Sequence, residues 1–154
     1  MELRIENLTK AYGKKVALRD FSYTFTPGIY GILGANGAGK TTLMNLITDN
    51  VKRTTGEIHW DGRDILKLGK TFRQTLGYMP QQQGMYSDFS ARGFLRYMAS
   101  VKQLPRKQAK AQIEELLELV NLREVAHKKL GGYSGGMRQR ILLCQALLGD
   151  PRVL

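Results

Sequence analysis

Gly34-Ala35-Asn36-Gly37-Ala38-Gly39-Lys40-Thr41-Thr42 follows directly on the apolar run Ile29-Tyr30-Gly31-Ile32-Leu33. The stretch fits Gly-x-x-x-x-Gly-Lys-Thr, the phosphate-cradling P-loop, and stands where one belongs, between a strand-like run and a helix-like one. Its glycines leave backbone N–H groups free to turn towards an anion, and the helix that follows aims its positive N-terminal end at the same point. Lys40 then reaches the β- and γ-phosphates of a nucleotide, while the Thr41 hydroxyl ligates Mg²⁺. A glycine-rich turn that merely caps a helix needs no ligand, but it has no use for Gly-Lys-Thr at this spacing in this context. The dinucleotide-binding pattern is excluded, because Gly37 and Gly39 are followed by Thr42 where a third glycine is required.

Around this loop, 154 residues suit a single domain with room for a sizeable core. A composition 42% hydrophobic and 24% charged is that of a globular chain and excludes general disorder. The first residues carry Glu2 and Glu6 without the apolar stretch of a secretion signal, and no apolar run approaches membrane-spanning length, so a cytosolic chain is expected. The lone cysteine, Cys144, lies in an apolar helical run and reads as a small buried hydrophobe. A net charge of +11 suits an anionic partner: nucleotide, nucleic acid or the inner membrane surface. The basic residues are nevertheless spread out, in short pairs such as Lys14-Lys15 and Lys128-Lys129, with no aromatic-interleaved tract of the kind that grips single strands. Most of the charge therefore reads as a solvated face, and no specific nucleic acid partner is expected.

Leu3-Arg4-Ile5-Glu6-Asn7-Leu8 alternates as a half-buried strand, and Phe21–Thr26 repeats the pattern before a Pro27-Gly28 turn. Between them Tyr12-Gly13-Lys14-Lys15 is a turn with an exposed aromatic, which could stack on a nucleotide base. The helix after the loop, Lys40 to about Thr48, carries Leu43, Leu46 and Ile47 on one face. Thr55–Gly62 is a short strand running into a tight Asp-Gly turn, in which His59 has no ligand-spaced partner and reads as an ordinary strand residue. Leu76-Gly77-Tyr78-Met79-Pro80 is another short strand, leaving through the polar loop Gln81-Gln82-Gln83-Gly84. Ser90 then caps a helix striped by Phe94, Leu95, Met98 and Val101, and Pro105 begins one striped by Ala109, Ile113, Leu116, Leu117 and Val120. A third helix begins after Tyr133-Ser134-Gly135-Gly136 and runs to Gly149, with Met137, Ile141, Cys144 and Leu148 on one face and Leu142, Leu143 and Leu147 widening it.

Ser134-Gly135-Gly136 repeats the logic of the first loop in miniature, a hydroxyl cap and two glycines at the positive end of a helix. Tyr133-Ser134-Gly135-Gly136-Met137-Arg138-Gln139-Arg140 resembles the signature motif of ABC-transporter ATP-binding domains, with Tyr for the usual leading Leu and Met for the usual Gln. The remaining motifs agree in order and spacing. Tyr12 falls where the family has its adenine-stacking aromatic, residues 34–41 match its Walker A loop, and Gln81 matches its Q-loop, whose glutamine touches Mg²⁺ and the attacking water. The resemblance spans the whole chain and is closest to subunits of bacterial drug and antibiotic exporters. It implies an α/β P-loop NTPase fold with N-terminal antiparallel strands, a partial parallel core sheet and a helical subdomain. Residues 1–87 would be the nucleotide-binding core part, about 88–131 the helical subdomain, and 132–154 the signature motif and its helix. ATP and Mg²⁺ are the implied cofactors, and transmembrane permease subunits and a second, head-to-tail ATP-binding domain the implied partners. A peripheral position on the cytoplasmic face of the cell membrane follows from the same resemblance.

In this family an apolar strand ending in Asp-Glu, and later a switch histidine, complete the hydrolytic site. The sequence reaches only Asp150-Pro151-Arg152-Val153-Leu154, where that strand would start, so an incomplete domain that binds ATP without efficient hydrolysis is expected. Sheet edges left open inside a core invite exchange, so a marginal monomer or a partner-exchanged oligomer is expected as well. The competing readings are a soluble ABC-type ATPase acting on nucleic acid or the ribosome, and a non-catalytic nucleotide-binding fragment.

Overall fold

Alternating Leu3 and Ile5 give β1 (Leu3–Tyr12) one apolar face, and its β-branched and aromatic neighbours favour the extended chain. In the computed structural model, which describes residues 1–81 and 86–154, β1 pairs antiparallel with β2 (Lys15–Phe25) on one side and β3 (Thr55–Trp60) on the other. The register sets Ile5 against Ile58 and Leu3 against Trp60, all four buried. A register shift between Ile5 and Leu8, with Asn7 at φ 48°, changes the phase of the alternation and returns Leu8 to the core. The expected Asp-Gly turn is present, with Asp61 at φ 47° and Gly62 at φ 77°, and carries the chain into the two-residue β4 (Arg63–Asp64). Both central residues of a type I′ turn need positive φ, which is why Asp-Gly suits it. The sheet order is β2-β1-β3-β4.

Helix α1 (Lys40–Ile47) buries Leu43, Leu46 and Ile47, as their spacing predicts. Two short helices that periodicity is too brief to reveal, α2 (Ile65–Leu68) and α3 (Lys70–Gln74), follow the sheet; Phe72 lies 6.0 Å from the Trp60 ring. These elements, from Met1 to Arg73, form one of two compact units.

The second unit, Gln74–Leu154, is helical. Its core joins α4 (Ala91–Val101), α5 (Arg106–Leu119) and α6 (Gly135–Leu147) through Phe94, Leu95, Ile113, Leu117, Ile141 and Cys144. Ser90 Oγ accepts from Gly93 N at 3.1 Å, the cap expected of it, and Pro105 opens α5. Two stripe residues differ from expectation. Val101 is the last residue of α4 and remains exposed, and Leu143 lies on the far side of α6 from Ile141 and Cys144 and is also exposed. Helix α6 ends at Leu147, short of the expected Gly149.

Both strands expected of the parallel core are reduced. Residues 29–33 form no strand, and Ile29 and Leu33 are 104% and 94% exposed. Extended backbone makes a strand only beside a partner that supplies donors and acceptors, and none pairs with this run among the described residues. Of residues 76–80 only Leu76 lies in a β-bridge, a single parallel one to Val153, with Gly77 N donating to Val153 O at 2.7 Å. The α/β class stands, with the antiparallel sheet as its developed part and this bridge as the trace of the parallel one. Among the described residues no helix is long and apolar enough to cross a membrane.

Candidate functional site

Two backbone hydrogen bonds shape the loop from Gly34 to Gly39. Ala38 N donates to Ala35 O at 3.1 Å, closing a turn, and Leu43 N donates to Gly39 O at 2.8 Å, starting α1. Gly39 is the N-cap residue at φ 91°, and a Cβ built there would stand 2.5 Å from the Ala17 carbonyl oxygen of β2. Only glycine combines that left-handed backbone with so close an approach. The loop is thereby seated on the β1–β2 hairpin.

No side chain caps α1 and its first turn holds no acid, so no side chain accepts the cap bond and the helix's positive end carries no built-in counter-charge. Lys40 Nζ donates to the carbonyls of Gly34 at 2.6 Å and Ala35 at 2.9 Å, folding its ammonium back over the loop that precedes it. Residues 34–38 and Thr41 are exposed. Amide donors, a cation and a hydroxyl at a helix start whose first turn holds no acid suit a polyphosphate with a hard, oxygen-seeking cation such as Mg²⁺.

Tyr12 is 49% exposed, and the Lys10 ammonium lies 4.7 Å from its ring centroid. It pairs with Lys15, two residues along β2 from Ala17, so the ring stands at the same end of the hairpin as the loop. The structure thus brings together Tyr12, Gly34, Ala35, Asn36, Gly37, Ala38, Gly39, Lys40, Thr41 and Thr42 in the first unit.

The other motif residues belong to the second unit. Gln81 is exposed at the end of the irregular 77–80 segment, and the Gln82, Gln83 and Gly84 expected to continue its loop lie outside the described residues. Ser134 caps α6, its Oγ accepting from Met137 N at 3.3 Å. Nothing lies within 4 Å of a Cβ built on Gly135 or Gly136, so this helix start is open to solvent. Tyr133, the departure from the usual leading Leu, is buried and donates its hydroxyl to Val125 O at 2.8 Å; burial raises its pKa. The substitution therefore anchors the segment that leads into the helix start.

Two supports of this unit escape sequence reading. Lys102 is half-buried and donates to Leu148 O at 2.6 Å and Leu76 O at 3.3 Å, linking the C-terminal end of α6 to the segment that leads to Gln81. Burial lowers its pKa. Arg92 grips Glu114 through two bonds, 2.7 Å to Oε1 and 3.0 Å to Oε2, tying α4 to α5. Both depend on residues brought close only by folding, so no local spacing marks them.

A family model described as ABC transporter matches residues 18–154. An uncharacterized ABC transporter ATP-binding protein of Bacillus subtilis, YxlF, is 39% identical over 153 residues, 99% of this chain and 50% of that protein. The linearmycin resistance ATP-binding protein LnrL of Bacillus subtilis is 36% identical over 99% of this chain and 49% of its own length. The chain thus spans about half the length of the curated relatives it matches. A solved structure of an ATP binding subunit of an ABC transporter aligns at a TM-score of 0.82 and 22% identity, covering 98% of this chain and 63% of that one. At that identity the likeness bears on the fold.

Proposed function

The chain belongs to the ABC transporter family, and from that premise we propose that it is the ATP-binding part of an export transporter subunit, coupling nucleotide binding to movement of membrane-embedded partners. The observation that carries this reading is the seated loop: an α1 start with no side-chain cap, no acid in its first turn, and Lys40 folded over it. The export reading rests on the likeness to a resistance ATP-binding protein.

Bound ATP with Mg²⁺ would supply the phosphoryl chemistry. The chain's own residues would hold it. Lys40 would exchange its loop carbonyls for phosphate oxygens, the amides from Gly37 to Thr41 would donate to the same oxygens, and the Thr41 hydroxyl would ligate the cation, with Gln81 as a second oxygen donor. Tyr12 would offer its exposed face to the base. Ser134, Gly135 and Gly136 would present a second set of donors, at the solvent-open start of α6, to the nucleotide of another copy, so that two helix starts converge on one polyphosphate. Residues from about 88 to 131 would face the permease, placing the protein at the cytoplasmic face of the membrane. We assign ATP binding to these 154 residues and efficient hydrolysis to a site that needs a further acid.

Thermal unfolding with and without Mg-ATP tests the reading. At about a hundred times its dissociation constant, Mg-ATP stabilises a single-site protein by ~2.7 kcal/mol. Lys40→Ala is expected to remove that stabilisation; a shift of unchanged size in Lys40→Ala would contradict the site.

A further inference from the structure

We propose that Glu6, Glu57 and His59 form a binding site for a transition-metal dication of the zinc class on the outer face of the β1–β3 ladder. Sequence spacing gives His59 no partner set, but the antiparallel register supplies one. Glu6 stands directly opposite Glu57, and His59 is two residues further along β3 on the same face, while the intervening pair Ile5 and Ile58 is buried on the other. The three side chains offer ligand atoms that all lie within 4.8 Å of one another.

Two carboxylates directly opposite on paired strands repel, and a cation held at one of them relieves that repulsion. The imidazole is set up to help bind one. His59 Nε2 lies 2.9 Å from Glu57 Oε2, so a neutral ring donates there and leaves its lone pair on Nδ1. That Nδ1 is buried and has no hydrogen-bond partner, and it faces Glu6 Oε2 across 3.9 Å. The gap is too long for a hydrogen bond. It is close to what an ion bridges with bonds of ~2.0–2.2 Å to nitrogen and oxygen.

The surroundings have the form of an outer shell. Glu57 orients the ring from behind, the carboxylate–histidine–metal arrangement, and Arg4 holds the other oxygen of Glu6, Nε to Oε1 at 3.3 Å, leaving Oε2 turned towards His59. Among the other charged groups nearby, Asp64 pairs with His59 across β3 and β4 and is engaged by Arg53. The carboxylates are half exposed, so water can complete the coordination. A ligand set of imidazole and carboxylate favours zinc-class ions over Mg²⁺ or Ca²⁺, which separates this site from the nucleotide's cation.

Calorimetric titration of the full chain with zinc chloride at pH 7.5 tests the proposal, alongside ¹⁵N detection of the imidazole nitrogens. One ion per chain is expected to bind, with the His59 Nδ1 resonance shifting and Nε2 remaining protonated. His59→Gln and Glu6→Gln should each weaken binding at least tenfold, Glu57→Gln by roughly 10- to 100-fold as an outer-shell partner, and His127→Gln not at all. If His59→Gln does not fold, the Glu6→Gln titration and the Nδ1 shift decide. Zinc binding no tighter than that of magnesium, binding unchanged in Glu6→Gln or His59→Gln, or an unshifted Nδ1 at saturation would each overturn the site.

Discussion

Replacing Gly39 with alanine tests whether the phosphate loop is seated on the sheet. Gly39 sits at φ 91°, where an L-residue costs about 1–2 kcal/mol, and its new Cβ would stand 2.5 Å from the Ala17 carbonyl oxygen, a backbone atom with little freedom to yield. Gly37 is the matched control: φ is 86°, but nothing lies within 4 Å of its Cβ position. Both substitutions stiffen the unfolded chain alike, by about 0.4–1 kcal/mol, so that contribution cancels between them. What remains is the clash, and forcing extra atoms into packed surroundings typically costs about 1–3 kcal/mol. Gly39→Ala should therefore lie about 1–3 kcal/mol below Gly37→Ala. Trp60, the chain's single tryptophan, is buried in the same unit, so its fluorescence in a urea titration reports the relevant transition. Equal midpoints for the two variants would refute the seating of the loop on Ala17.

Three further outcomes are expected. The Arg92 hydrogen bonds hold the Glu114 carboxyl below its ordinary value of 4.5, so its stabilising contribution is present above that value and fades as pH falls through the lower folded pKa; urea midpoints of wild type and Glu114→Gln should differ most at pH 7 and draw together as the pH is lowered below 4.5. Cys144 is fully buried and its thiol is pushed up to about 11 by burial, so a thiol reagent should label it only when urea unfolds the second unit, and ready labelling in native buffer would count against the packing of α6. Ser134→Ala should cost about 0.5–1 kcal/mol through loss of the α6 cap, measured by chemical denaturation followed by helical circular dichroism, whereas Ser134→Gly should cost only a few tenths.

Where sequence and structure agree, the cause of each element is local. The P-loop, the Asp-Gly turn, the Ser90 and Ser134 caps and the α5 stripe depend on a residue's own backbone preferences or on neighbours within two helical turns. Where they differ, the cause is distant. The run from Ile29 to Leu33 has every mark of a strand yet pairs with no strand among the described residues, and Leu76 forms a bridge only to Val153. Lys102 and the Glu6–Glu57–His59 group carry no local signal for the same cause: Lys102 meets Leu148 across 46 positions, and Glu6 meets Glu57 only through the register of β1 with β3. In the candidate site, the motif names the loop and its lysine; it names neither the carbonyls that hold Lys40 nor the seat of Gly39 on Ala17.

The central claim is that residues 34–42 hold a nucleotide's phosphates. Its most direct measurement is an amide ¹H–¹⁵N spectrum of the chain titrated with Mg-ATP, beside the same titration of Lys40→Ala. The largest shifts should fall on the amides of Gly37, Gly39, Lys40 and Thr41, and should vanish in Lys40→Ala at the same nucleotide concentration. Shifts centred elsewhere, or a pattern indifferent to Lys40, would contradict it.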